Sequence, residues 1–184
     1  MDLLSREREK YSAVWGDPQY RVVSPGERHV LSAIDWMSPT PGSSFTDWGC
    51  GTGRAAETLH AHGFGVHLVD IAENAYRGSL PFTQACLWDM PEYLRVSDYG
   101  FCTDVMEHIP TEHVDDVLAG IATRTIFKCY FQIALFHDNH FTQNGPLHLS
   151  VFPPDWWREK LLAHFRNAEF RMIRHKHLLA VAET

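Results

Sequence analysis

The sequence has no run of apolar residues long enough to cross a membrane, since no window approaches about 18 uninterrupted apolar residues. Its N-terminal residues, MDLLSREREK, carry charges where a secretory signal needs an apolar stretch. No run rich in lysine or arginine is present, and 16 basic against 23 acidic side chains give a net charge of −7. We therefore expect a cytoplasmic protein without membrane contact, and nonspecific nucleic-acid binding is disfavoured.

Cysteine is also scarce, and its spacing excludes the common metal and redox motifs. The four cysteines are Cys50, Cys86, Cys102 and Cys129, and no two of them form a CxxC pair. Three of the four fall in segments that resemble buried strands. We expect reduced thiols that pack as small apolar side chains.

The order of the elements predicts an α/β fold. The 184 residues suit one domain, with a lid-like segment at 1–25 and a core fold at 43–183. Strand-like and helix-like segments alternate, which favours parallel strands with helices on both faces, and two closing strands can form a hairpin. We predict a three-layer sandwich around a mostly parallel seven-stranded sheet with the last strand antiparallel, its strands at Phe45–Trp48, Gly65–Ile71, Phe82–Leu87, Tyr99–Asp104, Phe127–Leu135, Phe170–Arg174 and Leu178–Val181.

Apolar residues at helical spacing locate the main helices between these strands. The segment from Gly26 to Met37 has four residues at such spacing, Val30, Leu31, Ile34 and Met37. Two later helices are predicted by the inward-facing residues Val114, Val117, Leu118 and Ile121, and by Trp156, Trp157, Leu161, Leu162 and Phe165. In sheets of this kind, ligands bind beyond the carboxyl ends of the strands, at the topological switch point.

A glycine-rich turn stands at the first such strand end. The segment 46–54, TDWGCGTGR, gives GxGxG between a predicted strand and a predicted helix, where absent Cβ atoms let a ligand approach the backbone. Asp70 ends the next strand, where an acid reaches the hydroxyls of an adenosine ribose. Asp47 precedes the first glycine and suits a cationic ligand better than a pyrophosphate. Tight packing alone, or a dinucleotide, remains an alternative.

These residues carry a family resemblance. DWGCGTGR resembles the first motif of class I S-adenosylmethionine (SAM) methyltransferases, and FCTDVMEHIP resembles their fourth-strand motif. The resemblance implies a Rossmann-like methyltransferase fold that binds SAM and leaves S-adenosylhomocysteine (SAH) as product. It implies that Asp47, Gly49, Gly51 and Gly53 surround the methionine part and that Asp70 accepts hydrogen bonds from the ribose. Asp104, at the end of the fourth strand, is also predicted to lie in the cofactor site.

Three further cofactor contacts are expected. The resemblance implies an acid near the adenine amino group after the third strand, a position held by Asp89, and Trp88 offers the ring an apolar face. Asp89 can equally be an ordinary turn residue before a proline. In the N-terminal segment, Arg21 is a candidate partner for the cofactor carboxylate, or it packs against the surface.

Histidine is the natural general base for this chemistry, because its unperturbed pKa lies near neutrality. His108 follows the fourth strand, where cofactor and acceptor should meet, and His148 is a second candidate; a structural role for His108 is the alternative. The polar stretch around His137 and His140 is expected to shape the acceptor pocket. These two histidines, with Asp138 beside them, could ligate a metal, but no cysteine or second nearby pair completes a site, so no metal site is predicted.

The sequence thus predicts methyl transfer from SAM to an oxygen or nitrogen of a small molecule. Two alternatives stay open: methylation of a nucleic acid or protein, suggested by basic residues in 166–177, and a noncatalytic SAM-binding regulatory protein. The Asn/Asp-Pro-Pro-aromatic motif of amino-directed nucleic-acid methyltransferases is absent after the fourth strand. Neither the acceptor nor the oligomeric state is encoded in a recognisable motif.

Overall fold

The computed structural model describes residues 2–22, 24–138, 141–142 and 145–184. The main sheet has seven strands, and two short segments form a separate hairpin. The strands are β1 Ser44–Trp48, β2 Gly65–Asp70, β3 Phe82–Gln84, β4 Ser97–Thr103, β5 Thr125–Ala134, β6 Phe141–Thr142, β7 Gly145–Pro146, β8 Asn167–Ile173 and β9 His177–Glu183. The α-helices are α1 Leu3–Gly16, α2 Val30–Met37, α3 Arg54–Ala61, α4 Val114–Thr123 and α5 Pro154–His164. Short 3₁₀ helices span Tyr20–Val22, Gly26–His29, Met106–His108 and Thr111–His113.

The strand order in the main sheet is β3-β2-β1-β4-β5-β9-β8. Strands β1 to β5 run parallel, and β9 pairs antiparallel with both β5 and β8. The prediction of a mostly parallel seven-stranded sheet with an antiparallel last strand is confirmed. Because the order reverses between β1 and β4, the switch point lies at the carboxyl ends of these two strands, where the glycine turn begins.

Helices cover both faces of the sheet. On one face, α4 and α5 bury Val117, Leu118, Trp157 and Leu161 in one apolar core. On the other face, α2 and α3 bury their own apolar side chains, Val30, Ala33, Met37, Ala55, Ala56 and Leu59, in a second core. The three layers therefore follow from one apolar stripe on each helix packed against a sheet that is apolar on both sides.

Several predicted details were wrong. The segment 26–37 begins as a 3₁₀ turn and becomes α-helical only at Val30, so Val30, Ala33 and Met37 face the sheet while Leu31 is 61% exposed. On α5, Leu162 points outward in the same way, with 50% of its surface exposed.

The third strand is shorter than predicted, because it ends at Gln84 rather than at Leu87. The chain then turns, and the amide of Asp89 donates to the carbonyl of Cys86 at 3.2 Å. Turn geometry thus replaces the last part of the predicted strand.

Two of the three cysteines predicted to lie in buried strands do so, Cys102 on β4 and Cys129 on β5, whereas Cys86 lies beyond the end of β3. All four are free, and Cys86, Cys102 and Cys129 are buried. In the part of the chain that the structure describes, no helix combines the length and the apolar character that a membrane span requires.

Candidate active site

The turn after β1 is built on three glycines in the left-handed region. Gly49, Gly51 and Gly53 have φ of 72°, 52° and 76°, a conformation that side chains with a Cβ atom adopt only with strain. A Cβ on Gly51 would lie 2.8 Å from the Trp15 ring, and one on Gly49 would lie 2.5 Å from Val105. Glycine is therefore required both for the backbone conformation and for space.

Asp70 holds this turn from the neighbouring strand. Its Oδ2 accepts a hydrogen bond from the amide of Gly51 at 2.9 Å, and its Oδ1 accepts one from the amide of Ala72 at 2.9 Å. The side chain is buried, and burial raises the pKa of Asp70 to about 6. Both oxygens retain a lone pair for a further donor, such as a ligand hydroxyl.

Asp47 lies on β1 directly before the turn, and its carboxylate is buried and incompletely satisfied. Only 3% of the residue is exposed, and Oδ2 has no hydrogen-bond partner among the described residues. Burial, reinforced by the nearby charge of Asp70, raises the pKa of Asp47 to about 7. A buried carboxylate in this state is costly unless a cation or a donor meets it.

Two adjoining cavities lie at this edge of the sheet. Both are lined by Trp15, Tyr20, Gly49, Asp104 and His108. The larger cavity, of about 530 Å³, extends along the glycine turn and over Asp47. The smaller one is bounded by Asp70 and by apolar side chains of the loops after β2, β3 and β4, namely Ile71, Leu87, Trp88, Val105 and Ile109. The predicted residues at β1, β2 and β4 thus meet around one space.

The N-terminal segment forms one wall of this space. Tyr11 and Trp15, on α1, and Tyr20, in the following 3₁₀ turn, all line the smaller cavity. The Trp15 and Tyr20 rings meet edge to face, with centroids 5.0 Å apart. Three aromatic residues of the segment 1–25 therefore lie beside the cavity.

Arg21 is directed elsewhere. Its Nη1 donates to the carbonyls of Trp15 at 3.2 Å and of Asn74 at 3.0 Å, so in this structure the guanidinium fastens the N-terminal segment to the loop after β2. Burial lowers the pKa of Arg21, with Arg77 and Arg54 adding to the effect.

His108 stands where the two cavities join. Its Nδ1 lies 3.1 Å from the carbonyl of Leu147 and 3.0 Å from the hydroxyl of Tyr11. Because a carbonyl oxygen only accepts, the contact with Leu147 assigns the proton to Nδ1 and leaves the lone pair on Nε2. Burial, with a contribution from His148, lowers the pKa of His108 to about 3, so the imidazole is neutral at physiological pH.

His148 packs edge to face against His108, with ring centroids 4.7 Å apart. Its Nδ1 lies 2.6 Å from the carbonyl of Phe136, which again places the proton on Nδ1. His148 does not line either cavity directly, but it is in contact with a residue that does. The two candidate bases are therefore brought together.

Two buried carboxyl groups lie beside these histidines. Glu107 is fully buried; its Oε1 accepts from the amide of Ala134 at 3.1 Å, and its Oε2 has no hydrogen-bond partner among the described residues. Asp104 has a left-handed backbone with φ of 52°, and its Oδ2 accepts from the amide group of Gln132 at 2.7 Å. Burial raises the pKa of Glu107 well above its usual range, and the neighbouring Asp104 raises it further.

The remaining predicted residues are placed less centrally. Trp88 lines the smaller cavity and stacks on His113 at 5.4 Å. Asp89 is exposed and lines neither cavity, and Gly53 lies under Tyr76 at the start of α3 rather than at a cavity wall. His137 is exposed, and His140 lies outside the described residues.

The contact between Tyr11 and His108 is the main feature that sequence reasoning missed. The two residues are separated by 97 positions, and no local pattern links them. An aromatic residue on a helix near the N-terminus does not by itself indicate a functional site, since most such residues pack in a core.

Several solved structures that are methyltransferases by name share this fold. Among solved structures, magnesium protoporphyrin IX methyltransferase from Synechocystis PCC 6803 with bound SAH superimposes with a TM-score of 0.67 and 18% identity, over 98% of this chain and 100% of that chain. The 1,6-didemethyltoxoflavin-N1-methyltransferase from Burkholderia thailandensis superimposes with a TM-score of 0.76 and 16% identity, over 98% of this chain and 88% of that chain. The DhpI complex with SAM and HEP superimposes with a TM-score of 0.73 and 15% identity, over 99% of this chain and 98% of that chain.

At these identities the likeness establishes the fold. Comparison of the sequence with protein-family models and with characterised proteins gave no match.

Proposed function

We propose that this protein is a SAM-dependent methyltransferase that transfers the methyl group to an oxygen or nitrogen of a small molecule. The observation that carries the proposal is the pair of buried acids beside the glycine turn: Asp47 lines the cavity of about 530 Å³, and Asp70 lines the smaller cavity that adjoins it. The methyltransferases of the same fold that contain bound SAM or SAH support it.

The residues present fit this cofactor. Asp70 lines the smaller cavity with lone pairs to spare for the two ribose hydroxyls. Oδ2 of Asp47, which has no partner among the described residues, suits the ammonium group of the methionine part. The smaller cavity, with Leu87 and Trp88, offers apolar surface to an adenine ring. Gly49 and Gly51 allow the cofactor to lie against the backbone. Contacts of Gly53, Asp89, Asp104 and Arg21 with the cofactor remain predictions.

The cofactor supplies an electrophilic methyl carbon on a sulfonium, so the protein needs chiefly to align the acceptor and to exclude water. Tyr11, Trp15 and Tyr20 cover the site from the N-terminal side, and we propose that the segment 1–25 acts as its lid. His108 lines both cavities and takes the acceptor proton on Nε2, although its pKa, lowered to about 3 by burial, makes it a weaker base than an exposed histidine. His148, in contact with its ring, is the second candidate for that role.

A small-molecule acceptor is favoured over a nucleic acid. Among the structural neighbours, 1,6-didemethyltoxoflavin-N1-methyltransferase was solved with the small molecule 1,6-didemethyltoxoflavin bound. The net charge of −7 opposes a polyanion, and the described residues that line the two cavities include no lysine or arginine.

The deciding experiment is calorimetric titration with SAH of the wild-type protein, of Asp70→Ala and of the surface control Asp35→Ala. We expect saturable binding that Asp70→Ala weakens by about ten-fold or more, since a charge-assisted hydrogen bond contributes roughly 1.5–3 kcal/mol, and that Asp35→Ala leaves unchanged. A folded wild-type protein that binds no SAH would overturn the proposal. Methyl transfer to any acceptor in a subsequent screen would exclude a noncatalytic binding protein.

A further inference from the structure

Three potential metal ligands converge beside the cavity. Glu107 and His108 belong to the 3₁₀ helix after β4, and His148 follows β7. One ligand atom from each of the three side chains lies within 4.8 Å of the other two. This group is distinct from His137 and His140, the pair weighed from the sequence, and it forms only because the chain returns to His108 after β7.

Both imidazoles are oriented as metal ligands are. In each ring Nδ1 faces a backbone carbonyl, that of Leu147 for His108 and that of Phe136 for His148. Histidines that bind metals almost always donate their other N–H to a carbonyl or carboxylate, which fixes the ring and its tautomer. Among the described residues, Nε2 of either ring has no hydrogen-bond partner, so it is the nitrogen available to a metal.

Within the described part of the chain, the carboxyl group of Glu107 also has no positively charged partner, and a bound cation would be one. The residue has no exposed surface, and Oε2 has no hydrogen bond among the described residues. Asp104 lies next to it, and within the described part of the chain neither acid forms an ion pair with a lysine or arginine. A buried acid without a cation beside it is costly to ionise, and a metal ion would supply that partner.

We propose that Glu107, His108 and His148 bind a divalent transition-metal cation. Two imidazole nitrogens with one carboxylate are the donors of zinc sites and of iron(II) facial triads, whereas Mg²⁺ and Ca²⁺ prefer oxygen ligands. Ligand distances of about 2.0–2.2 Å separate donors by roughly 3–4 Å, so atoms within 4.8 Å of one another need to approach by no more than about 1–2 Å. The remaining coordination positions are then available to a ligand in the cavity that His108 lines.

The role of the cation rests on the proposed function. An acceptor hydroxyl that binds a divalent cation loses its proton far more readily than in water. The proton leaves to solvent, the oxygen forms the new bond to the methyl carbon, and the carbon–sulfur bond breaks with its electron pair passing to sulfur. Since Nε2 of His108 is then a ligand, the cation replaces that histidine in activating the acceptor.

The test is metal binding by the whole protein after treatment with a chelator and removal of the chelator. Zn²⁺ is titrated calorimetrically, and Co²⁺ is added to record the visible absorption bands that report its coordination. We expect one equivalent of Zn²⁺ to bind and the Co²⁺ spectrum to show nitrogen and oxygen ligands. Glu107→Gln and His148→Ala should each weaken Zn²⁺ binding by roughly ten-fold or more, and the surface control His62→Ala should not.

A folded wild-type protein that binds Zn²⁺ no more tightly than His148→Ala, or that gives only the spectrum of hydrated Co²⁺, would overturn the metal site. SAH binding, measured on the same metal-free protein, separates the two proposals. Retained SAH binding without a metal site would leave the proposed methyltransferase standing and remove only the cation. Zn²⁺ binding without SAH binding would support the metal site and overturn the proposed methyltransferase.

Discussion

The carboxylate of Asp70 and the amide of Gly51 are joined by a hydrogen bond of 2.9 Å, which ties the end of β2 to the turn after β1. The acid that the sequence assigned to the cofactor ribose therefore also holds the turn on which the cofactor is proposed to lie. Because Asp70 is buried, loss of its oxygens leaves the amide of Gly51 unsatisfied as well as removing a ligand contact.

This double role predicts different behaviour for two substitutions. Asp70→Ala should weaken SAH binding and lower the melting temperature, because it removes acceptors from the amides of both Gly51 and Ala72. Asp70→Asn retains one carbonyl oxygen and should keep more of the stability than of the affinity. Thermal denaturation and calorimetry on both variants check this. Equal melting temperatures for wild type and Asp70→Ala would show that the bond to Gly51 stabilises little.

The glycine turn can be tested with a control for backbone strain. Gly51 and Gly63 both have positive φ, of 52° and 88°, so alanine should destabilise both by roughly 1–2 kcal/mol. A Cβ on Gly63 meets nothing within 4 Å, whereas one on Gly51 lies 2.8 Å from Trp15, at the cavity. We expect only Gly51→Ala to lose SAH affinity in titration. If the two variants bound SAH equally tightly, the Trp15 ring would have moved away from the added Cβ without cost to the site.

Asp47 is predicted to lower stability at neutral pH. Its pKa in the folded protein, about 7, lies above the ordinary value of 3.8, so the unfolded chain binds fewer protons in this range. The contribution of the acid to stability is present below about pH 4 and is lost as pH rises through 7. Asp47→Asn should therefore raise the melting temperature at pH 8, by about 2–4 °C per kcal/mol, and change it little at pH 4. A melting temperature at pH 8 below that of wild type would contradict this.

The same acids predict the pH dependence of cofactor binding. In the free protein the pKa values of Asp47 and Asp70 are about 7 and 6, so both carboxyl groups are partly protonated at pH 6. A cationic ligand with donor hydroxyls stabilises the ionised forms, and binding at pH 6 should release protons. SAM affinity should fall as pH decreases from 8 to 5. Titrations in buffers of different ionisation enthalpy measure the release, and Asp47→Asn should reduce it.

The fold was largely predictable because its signals are local. The strand before Gly49, the three glycines and the helix that starts at Arg54 form one continuous stretch, and β2 with Asp70 follows directly. The apolar spacing on α4 gave its buried face correctly. Leu31 was assigned to the core because the α-helix was expected to begin earlier, and a shift of its start rotates the inward face.

The site was predictable only where it belongs to that continuous stretch. Asp47, Gly49, Gly51 and Asp70 meet as expected, but the environment of His108 comes from distant parts of the chain, Tyr11 on α1 and Leu147 and His148 after β7. Such contacts depend on how α1 and the segment after β5 pack, which no spacing in the sequence encodes. For the same reason, the sequence could not predict that Arg21 donates to two backbone carbonyls.

His108 itself can be tested once an acceptor is known. If Nε2 takes the acceptor proton, His108→Ala should reduce turnover by about 10²–10⁴ and leave SAH affinity within about two-fold of wild type, whereas the exposed His62→Ala should alter neither. Turnover that persists after chelation supports the histidine as base, because a bound cation would occupy the same nitrogen. Turnover that is lost on chelation and restored by Zn²⁺ assigns the activation to the cation. If His108→Ala left the rate unchanged, His108 would have a structural role instead, because its hydrogen bonds to Tyr11 and Leu147 hold α1 over the cavity.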